Sequence, residues 1–310
     1  MIALLAPGQG SQTPGMLAEW LELPGASTQI DRWSQISGLD LATLGTTASA
    51  EEITDTAVTQ PLVVATTLLA FDELRRRGLP TSSVVAGHSV GEISAYAMAG
   101  VISGDDAVRL AAVRGAEMAS ACAAEPTGMA AVLGGDETEL LARLEELELI
   151  PANRNAAGQI VAAGALSALE KLAEDPPAKA RVRMLATAGA FHTHYMASAL
   201  AGYSAAAAAI NACDPTTTLL SNADGQPVSD AKDALGKLVA QLTRPVRWDL
   251  CSATIAALST TAIVEFPPAG TLIGIAKREL RGVPTHAVKT PADLDGVSDL
   301  LSPTATQIAK

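Results

Sequence analysis

A single serine stands between two glycines in the stretch Gly87-His88-Ser89-Val90-Gly91. The residues before it, Ser82 to Val85, favour a strand, and those after it, Ile93 to Met98, favour a helix. A strand that turns into a helix this tightly leaves room only for glycine beside the serine, so its hydroxyl should be exposed at the carboxyl edge of a sheet. Ser89 is therefore the candidate nucleophile. The alternative is a glycine turn that carries a serine by chance.

A serine hydroxyl needs a base, and the chain has 4 histidines. His88 adjoins Ser89, but consecutive residues of such a turn point in different directions, so we expect a hydrogen-bonding neighbour. His286 lies in a late predicted strand, which favours a core histidine. His192 and His194 follow a predicted domain crossing, where clefts form, so one of these two is predicted to be the base. They could also begin a metal site, but no third ligand follows at a recognisable spacing, and we predict no metal.

Three further features could assist such a serine. The helix that follows it would point free backbone N–H groups and a positive dipole end towards an oxyanion. The loop from Pro7 to Gln12 closes the first predicted strand and is either a plain turn or part of the site, since it matches neither a dinucleotide fingerprint nor a P-loop. Arg114 lies among small apolar residues of a predicted helix that runs from Ala107 to about Cys122. It is either an ordinary surface arginine or a buried clamp for a carboxylate.

The composition limits the class of protein. The 310 residues carry a formal net charge of -12, which argues against a nucleic-acid ligand because phosphate contacts need a basic face. The 3 cysteines have no disulfide-like or metal-like spacing, which favours a reducing compartment. The first residues lack a basic leader, and no apolar run approaches the length of a membrane span. We therefore expect a soluble, cytoplasmic protein without a membrane partner.

The order of the predicted elements indicates an α/β protein. Strands and helices alternate, as in a parallel sheet covered on both faces, and a long apolar helix is predicted to open at Pro61. Residues 127–188 change to strand, helix, strand, strand, helix, strand, which is the split βαβ arrangement of an inserted subdomain. The predicted main domain is thus 1–126 and 189–310. A helix is predicted from Val246 to Leu258.

Several motifs together resemble one known family. These motifs are Gly8-Gln9-Gly10-Ser11-Gln12, Gly87-His88-Ser89-Val90-Gly91-Glu92, Arg114-Gly115 with Met118, Asn155 before Gly158-Gln159, Ala190-Phe191-His192 with Met196, and Pro245-Val246-Arg247-Trp248. Their order and identity are similar to those of the malonyl-CoA:acyl carrier protein transacylases, over essentially the whole chain. The resemblance implies an α/β-hydrolase-like main domain with a parallel sheet and a ferredoxin-like (βαββαβ) insert at 127–188.

The resemblance also implies a role for each matching residue. Ser89 would be the nucleophile and His192 the general base, while the backbone N–H groups of Gln9 and Val90 would form the oxyanion hole. Arg114 would pair with the malonyl carboxylate, and the carbonyl of Gln241 would hold the far nitrogen of the base. Phe191 would narrow the space at the acyl α-carbon. Asn155, Met118 and His88 would complete the substrate site, and His194 should be dispensable.

The implied activity is transfer of malonyl from malonyl-CoA to the phosphopantetheine thiol of acyl carrier protein through a malonyl ester. No cofactor is expected, since both thioesters are substrates or products, and the chain should act as a monomer. Two basic stretches, Lys179 to Arg183 and Lys277-Arg278, could dock the carrier or be ordinary surface charge. The alternatives are a serine esterase or thioesterase, an acyltransferase for another extender unit, and a non-catalytic carrier-protein or CoA-binding module.

This sequence departs from the family pattern in two places. Arg244 replaces the usual Asn before Pro-Val, next to the expected orienter of His192, and Glu265 to Gly270 forms a less glycine-rich loop than usual.

Overall fold

The computed structural model of the chain describes residues 1–78 and 83–301. Ser82, expected in the strand before the nucleophile, lies outside them. The strands are β1 Ile2–Ala6, β2 Ser83–Gly87, β3 Thr127–Gly134, β4 Ile150–Ala156, β5 Gln159–Ala165, β6 Ala180–Met184, β7 Thr218–Leu219, β8 Val246–Arg247, β9 Ala262–Glu265 and β10 Thr285–Ala287.

The α-helices flank these strands along the chain. They are α1 Ala26–Ser37, α2 Leu41–Thr46, α3 Thr56–Arg76, α4 Gly91–Met98, α5 Gly104–Cys122, α6 Glu137–Glu146, α7 Leu166–Glu174, α8 Leu200–Ala208, α9 Ala231–Ala240, α10 Trp248–Ala257, α11 Thr271–Glu279 and α12 Asp293–Leu301. Short 3₁₀ turns, including His194–Ala199 and Gln241–Thr243, connect some of them.

The first sheet has the order β10-β9-β1-β2-β7, and its neighbouring strands are parallel. Strand β1 is buried throughout, and its side chains alternate between two apolar clusters. Ile2 and Leu4 join the larger cluster, which includes α3 and α5, whereas Ala3 and Leu5 join the smaller one with α10 and α11. The sheet is therefore covered on both faces, as a parallel sheet requires.

The second sheet has the order β6-β3-β5-β4-β8. Its first four strands are antiparallel neighbours and carry helices α6 and α7 on one face, which is the ferredoxin-like βαββαβ arrangement. Along β3, Ala130 packs under these helices, whereas Met129 belongs to the larger cluster that also covers the first sheet. The expected α/β fold with a parallel sheet and a second, ferredoxin-like sheet is confirmed.

Strand β8 joins the two parts of the molecule. The residues at 246 and 247 belong to the predicted main domain, yet they pair in parallel with Asn153 and Arg154 of β4. Our prediction of a helix from Val246 was wrong, because Val246–Arg247 extends the second sheet and α10 begins only at Trp248. An edge pairing of two residues is too short to give a strand pattern in the sequence.

Helix α3 also differs from its prediction. It begins at Thr56 rather than at Pro61, because the Asp55 side chain caps it by accepting from the Ala57 N–H at 2.7 Å. Pro61 is accommodated in the second turn, at the cost of one helical hydrogen bond. By length and composition α3 could cross a membrane, contrary to our expectation. However, 83% of its most apolar stretch of 18 residues is buried inside the protein. That burial is typical of a core helix.

Candidate active site

Ser89 lies on a strained turn between β2 and α4. Its backbone φ is 54°, in the left-handed region that costs a non-glycine residue free energy. A Cβ on Gly87 would lie 2.0 Å from the Gly91 carbonyl oxygen, and one on Gly91 would lie 2.3 Å from the Ala6 carbonyl oxygen. Both glycines are therefore sterically required, and the turn presents the serine beyond the end of β2.

The loop after β1 is pressed against this turn. The His88 N–H donates to the Ala6 carbonyl at 3.0 Å, and a Cβ on Gly8 would lie 2.7 Å from the His88 carbonyl oxygen. This close approach sets Gln9 beside the serine, where both line one cavity. Within the described residues, the backbone N–H groups of Gln9 and Val90 donate no hydrogen bond to another residue. Gln9 lines the cavity, whereas Val90 is buried behind it and is not among the lining residues.

His192 bridges the serine and the main-chain carbonyl of Gln241. Its Nε2 lies 2.7 Å from Ser89 Oγ, and its Nδ1 lies 2.8 Å from the Gln241 oxygen. Because a carbonyl only accepts, Nδ1–H must donate to it, which leaves Nε2 as the acceptor for the serine O–H. The 3₁₀ turn Gln241–Thr243 supplies this carbonyl even though Arg244 follows it.

The surroundings keep His192 neutral. The side chain is 2% exposed, and burial, helped by the nearby positive charge of Arg114, lowers its pKa to about 3. An imidazole with so low a pKa is unprotonated at neutral pH and can accept a proton. The backbone φ of His192 is 61°, so the base and the nucleophile are both held in strained conformations.

Arg114 is buried on α5 at 1% exposure, which excludes the surface alternative. One of its terminal nitrogens donates to Gln60 Oε1 at 2.8 Å, and the other donates to Gln241 Oε1 at 2.9 Å and lies 3.4 Å from Ser89 Oγ. Its Nε has no partner within the described part of the chain. A buried guanidinium that meets only neutral oxygens and a hydroxyl has capacity for an anionic ligand next to the serine.

Three buried polar residues of this site were missed by the sequence analysis. Gln60 holds Arg114, while Asn222 and Glu92 hold the serine turn from behind. Asn222 accepts from the Ser89 N–H at 2.8 Å and donates to the Gly87 carbonyl at 2.7 Å. Glu92 was visible in the motif at 87–92, as an acidic residue in an otherwise apolar helix start, whereas Gln60 and Asn222 have no local signal.

The cavity over Ser89 is narrow, about 90 Å³ in volume. Its lining combines residues of the predicted main domain with residues of the predicted insert at 127–188. Its lining comprises Gln9, His88, Ser89, Arg114, Met118, Met129, Asn153, Val161, Leu185, Thr187, Phe191 and His192.

Asn155 does not line the cavity but supports its wall. Its Oδ1 lies 2.8 Å from His88 Nε2, and the His88 ring packs edge-on against Trp248. His88 is thus the hydrogen-bonding neighbour expected from the sequence.

The other two histidines lie outside the cavity. His194 packs against the ring of Tyr195, with ring centroids 4.3 Å apart, and His286 Nε2 lies 2.6 Å from the Asp293 carbonyl oxygen. Across residues 1–78 and 83–301, no group of three or more His, Cys, Asp or Glu side chains could hold a metal ion.

The whole arrangement matches a described family of proteins. The family described as "Acyl transferase domain" matches residues 4–294. The malonyl CoA-acyl carrier protein transacylase of Mycobacterium tuberculosis is 72% identical over 302 residues, which cover 97% of this chain and 100% of that protein. The corresponding protein of Bacillus subtilis is 34% identical and covers 95% of each chain.

Solved structures agree with these sequence relatives. The crystal structure of MCAT from Mycobacterium tuberculosis superposes with a TM-score of 0.94, at 72% identity, and covers 96% of this chain and 99% of that one. A malonyl-transacylase in complex with its type II PKS acyl-carrier protein gives a TM-score of 0.90 at 29% identity, with 96% and 99% covered. This chain belongs to the malonyl CoA-acyl carrier protein transacylases, within the acyl transferase domain family.

Proposed function

We propose that this chain transfers a malonyl group from malonyl-CoA to the phosphopantetheine thiol of an acyl carrier protein, through a malonyl ester on Ser89. One observation carries the proposal. The serine hydroxyl lies within hydrogen-bond reach of a neutral imidazole and beside a buried guanidinium, which contacts no acidic side chain in the described part of the chain. A base and a carboxylate receptor therefore both lie next to the nucleophilic oxygen of Ser89.

In the first half-reaction, His192 Nε2 takes the serine proton while Ser89 Oγ attacks the thioester carbonyl. The carbonyl oxygen becomes an oxyanion that accepts hydrogen bonds from the Gln9 and Val90 N–H groups, each worth on the order of 3 kcal/mol in the transition state. The carbon–sulfur bond then breaks, and coenzyme A leaves as a thiol with the proton from the imidazole.

In the second half-reaction, the same imidazole takes the proton of the carrier thiol. The thiolate attacks the ester carbonyl, the carbon–oxygen bond to Ser89 breaks, and the serine recovers its proton. A thiol has a pKa of about 8.5, far below that of water, so this step needs only a modest base. A main-chain carbonyl, in place of a triad carboxylate, is sufficient to orient His192 and favours transfer over hydrolysis.

Selection of malonyl is assigned to Arg114 and to the narrow walls of the cavity. The guanidinium would bind the free carboxylate, and the buried side chains of Phe191 and Met118 restrict the space around the acyl chain. His88, which Asn155 holds in place, would form the wall nearest the serine. An uncharged acyl group would leave the buried guanidinium without a counter-charge, and a larger one would collide with the walls of the cavity.

The partner is an acyl carrier protein, as in the related complex with a type II PKS carrier. The proposed docking surface is the exposed basic edge of β6, where Arg181 and Arg183 precede the cavity residues Leu185 and Thr187. A local basic edge is needed because the chain as a whole is acidic, with a net charge of -12. The protein is proposed to work in the cytoplasm as a monomer, without a metal or cofactor.

The decisive experiment is intact-mass measurement after exposure to malonyl-CoA, with and without holo carrier protein. The parent should gain one malonyl group and lose it to the carrier. Ser89→Ala should gain none, and His192→Ala should acylate at least roughly 100-fold more slowly. Steady release of malonate without an acceptor would instead identify an esterase, and the absence of any acyl label would identify a binding module.

A further inference from the structure

Glu92 is a buried carboxylate to which the proposed reaction gives no task. It lies in the first turn of α4, three residues after the nucleophile, and is 1% exposed. Its Oε1 accepts from the Asn222 N–H at 2.6 Å, and its Oε2 accepts from Gln241 Nε2 at 2.5 Å. No cation contacts it directly within the described residues. The Ser221 hydroxyl also acts on it as a hydrogen-bond donor. A buried charge held only by amides and a hydroxyl is costly, so its presence calls for a reason.

The two residues that Glu92 holds both grip the nucleophile's own peptide units. The Asn222 side chain accepts from the Ser89 N–H, and Gln241 Nε2 lies 3.2 Å from the Ser89 carbonyl oxygen. The same Gln241 side chain accepts from Arg114, and its main-chain carbonyl orients His192. Nucleophile, base and carboxylate receptor are thus all one or two contacts from Glu92.

Glu92 is the shortest acceptor of the Gln241 amide, at 2.5 Å, ahead of Asn222 Oδ1 at 3.1 Å and the Ser89 carbonyl oxygen at 3.2 Å. An ionised carboxylate can only accept and a guanidinium can only donate, so together they fix the amide with its NH₂ towards Glu92 and its oxygen towards Arg114. If the amide turned over, two donors would meet at Arg114 and two acceptors would meet at Glu92. We infer that Glu92 is a positioning residue, whose ionised carboxylate sets Gln241 and Asn222 so that Ser89, His192 and Arg114 are aligned for malonyl transfer.

A glutamine at position 92 cannot replace this function. If its oxygen accepts from the Asn222 N–H, its NH₂ faces the NH₂ of Gln241; if it turns over, its NH₂ faces the Asn222 N–H instead. One hydrogen bond is lost in either case, or Gln241 turns over and loses Arg114. Removal of the carboxyl charge, without any change in side-chain size, is therefore enough to disturb the site.

The ionisation of Glu92 falls in the working pH range. Burial raises its pKa to about 7, against the opposing effects of hydrogen bonds from the Asn222 N–H and the Ser221 hydroxyl and of the charges of Arg114 and Lys237. His192 stays neutral throughout this range because its own pKa is lowered to about 3. The charged and titratable groups that act on Glu92 or respond to it are Arg114 on α5, Tyr203 on α8, Lys237 on α9 with its partners Asp224 and Asp233, Cys251 on α10, and Tyr96 on α4 itself.

The test rests on the proposed malonyl ester of Ser89 and measures its rate of formation in a single turnover between pH 5.5 and 9. The donor is malonyl-N-acetylcysteamine, a thioester without phosphate groups, so no titration of the donor confuses the profile. We expect the parent rate to fall as the pH drops below about 7. Glu92→Gln should be roughly 10- to 100-fold slower at pH 8, as for one lost hydrogen bond to a charged group, and nearly flat with pH.

Glu73→Gln is the matched control. Glu73 is also a buried carboxylate, at 6% exposure, but it pairs with Arg76 and Arg77 at the end of α3. It should keep the rate and pH profile of the parent. The inference is wrong if Glu92→Gln acylates as fast as the parent at pH 8, or if its rate still falls below about pH 7 as the parent's does. A parent that forms no ester at all would refute the proposed function instead.

A second measurement avoids the variant altogether, should Glu92→Gln fail to fold. In the parent labelled with ¹³C at the glutamate carboxyl carbons, one glutamate signal should titrate near pH 7 in step with the acylation rate. If no glutamate titrates together with the rate, Glu92 does not control the site.

Discussion

Arg114→Ala separates the recognition of malonyl from the chemistry at Ser89. The substitution removes the only guanidinium that lines the cavity over the serine within the described residues. It removes no atom of the contact of 2.7 Å between Ser89 Oγ and His192 Nε2, or of that of 2.8 Å between His192 Nδ1 and the Gln241 carbonyl. The nucleophile and its base should therefore still acylate with a thioester that carries no carboxylate.

The size of the effect follows from burial. Arg114 is 1% exposed, so a malonyl carboxylate bound to it would be a desolvated charge pair. Truncation of one partner of such a pair costs about 2–5 kcal/mol, which corresponds to roughly a 30- to 4,000-fold loss in kcat/KM for malonyl-CoA. Acetyl-CoA has no carboxylate and meets a buried, uncompensated cation in the parent. Its kcat/KM should stay within about tenfold of the parent or rise.

The assay is a competition between equal concentrations of malonyl-CoA and acetyl-CoA, with the two Ser89 esters separated by intact mass. Arg109→Ala is the matched control, because Arg109 lies on the same helix but is exposed and pairs with Asp106. It should leave the ratio of the two esters unchanged. If Arg114→Ala slows both thioesters equally, the guanidinium supports the fold or the serine rather than the malonyl carboxylate, and the reasoning is refuted.

Three further outcomes are expected. Gly87→Ala should destabilise the protein by about 3 kcal/mol or more, because the added Cβ would lie 2.0 Å from a backbone oxygen. Gly236→Ala is the control and should not destabilise it, since no atom lies within 4 Å of the added Cβ. Urea unfolding measures the free energy of unfolding of both variants. The folded pKa of Glu92, about 7, lies above the ordinary value of 4.5, so its stabilising contribution is complete below pH 4.5 and is lost as the pH rises through 7. The free energy of unfolding of the parent, relative to that of Glu92→Gln, should therefore fall by about 3 kcal/mol between pH 4.5 and pH 8. Urea unfolding that gives the same difference between the two proteins at both pH values would contradict this. Joint reversal of Arg181 and Arg183 to Glu should raise the KM for carrier protein but not change acylation by a phosphate-free malonyl thioester; an unchanged KM would remove the β6 edge as the docking surface.

Local sequence patterns predicted the features that local physics determines. The turn around Ser89 was predictable because its glycines and flanking strand and helix lie within a dozen residues of each other. The order of elements in 127–188 was predictable for the same reason, since each strand and helix has its own periodicity. The start of α3 was not, because the Asp55 cap prevailed over the proline rule at Pro61.

Contacts between distant parts of the chain were beyond the sequence alone. Gln60 and Asn222 are ordinary polar residues until the fold buries them against Arg114 and Ser89. Whether Arg114 was a surface residue or a clamp could not be decided from its helix, because burial depends on what α3 and the Gln241 turn pack against it. The family resemblance supplied the remaining assignments, and the geometry gives distances for the contacts among Ser89, His192, Arg114 and Gln241.

The parallel pairing of β8 with β4 has a consequence for protein engineering. A recombinant that exchanges only residues 127–188 between two relatives would take the insert away from the strand that completes its sheet, and would leave Val246–Arg247 with a foreign edge. The exchanged fragment must therefore include both residues 127–188 and the strand Val246–Arg247. Otherwise the distance between the two walls of the cavity over Ser89 will change. Substrate specificity should be transferred only when residues 241–248 come from the same relative as residues 127–188.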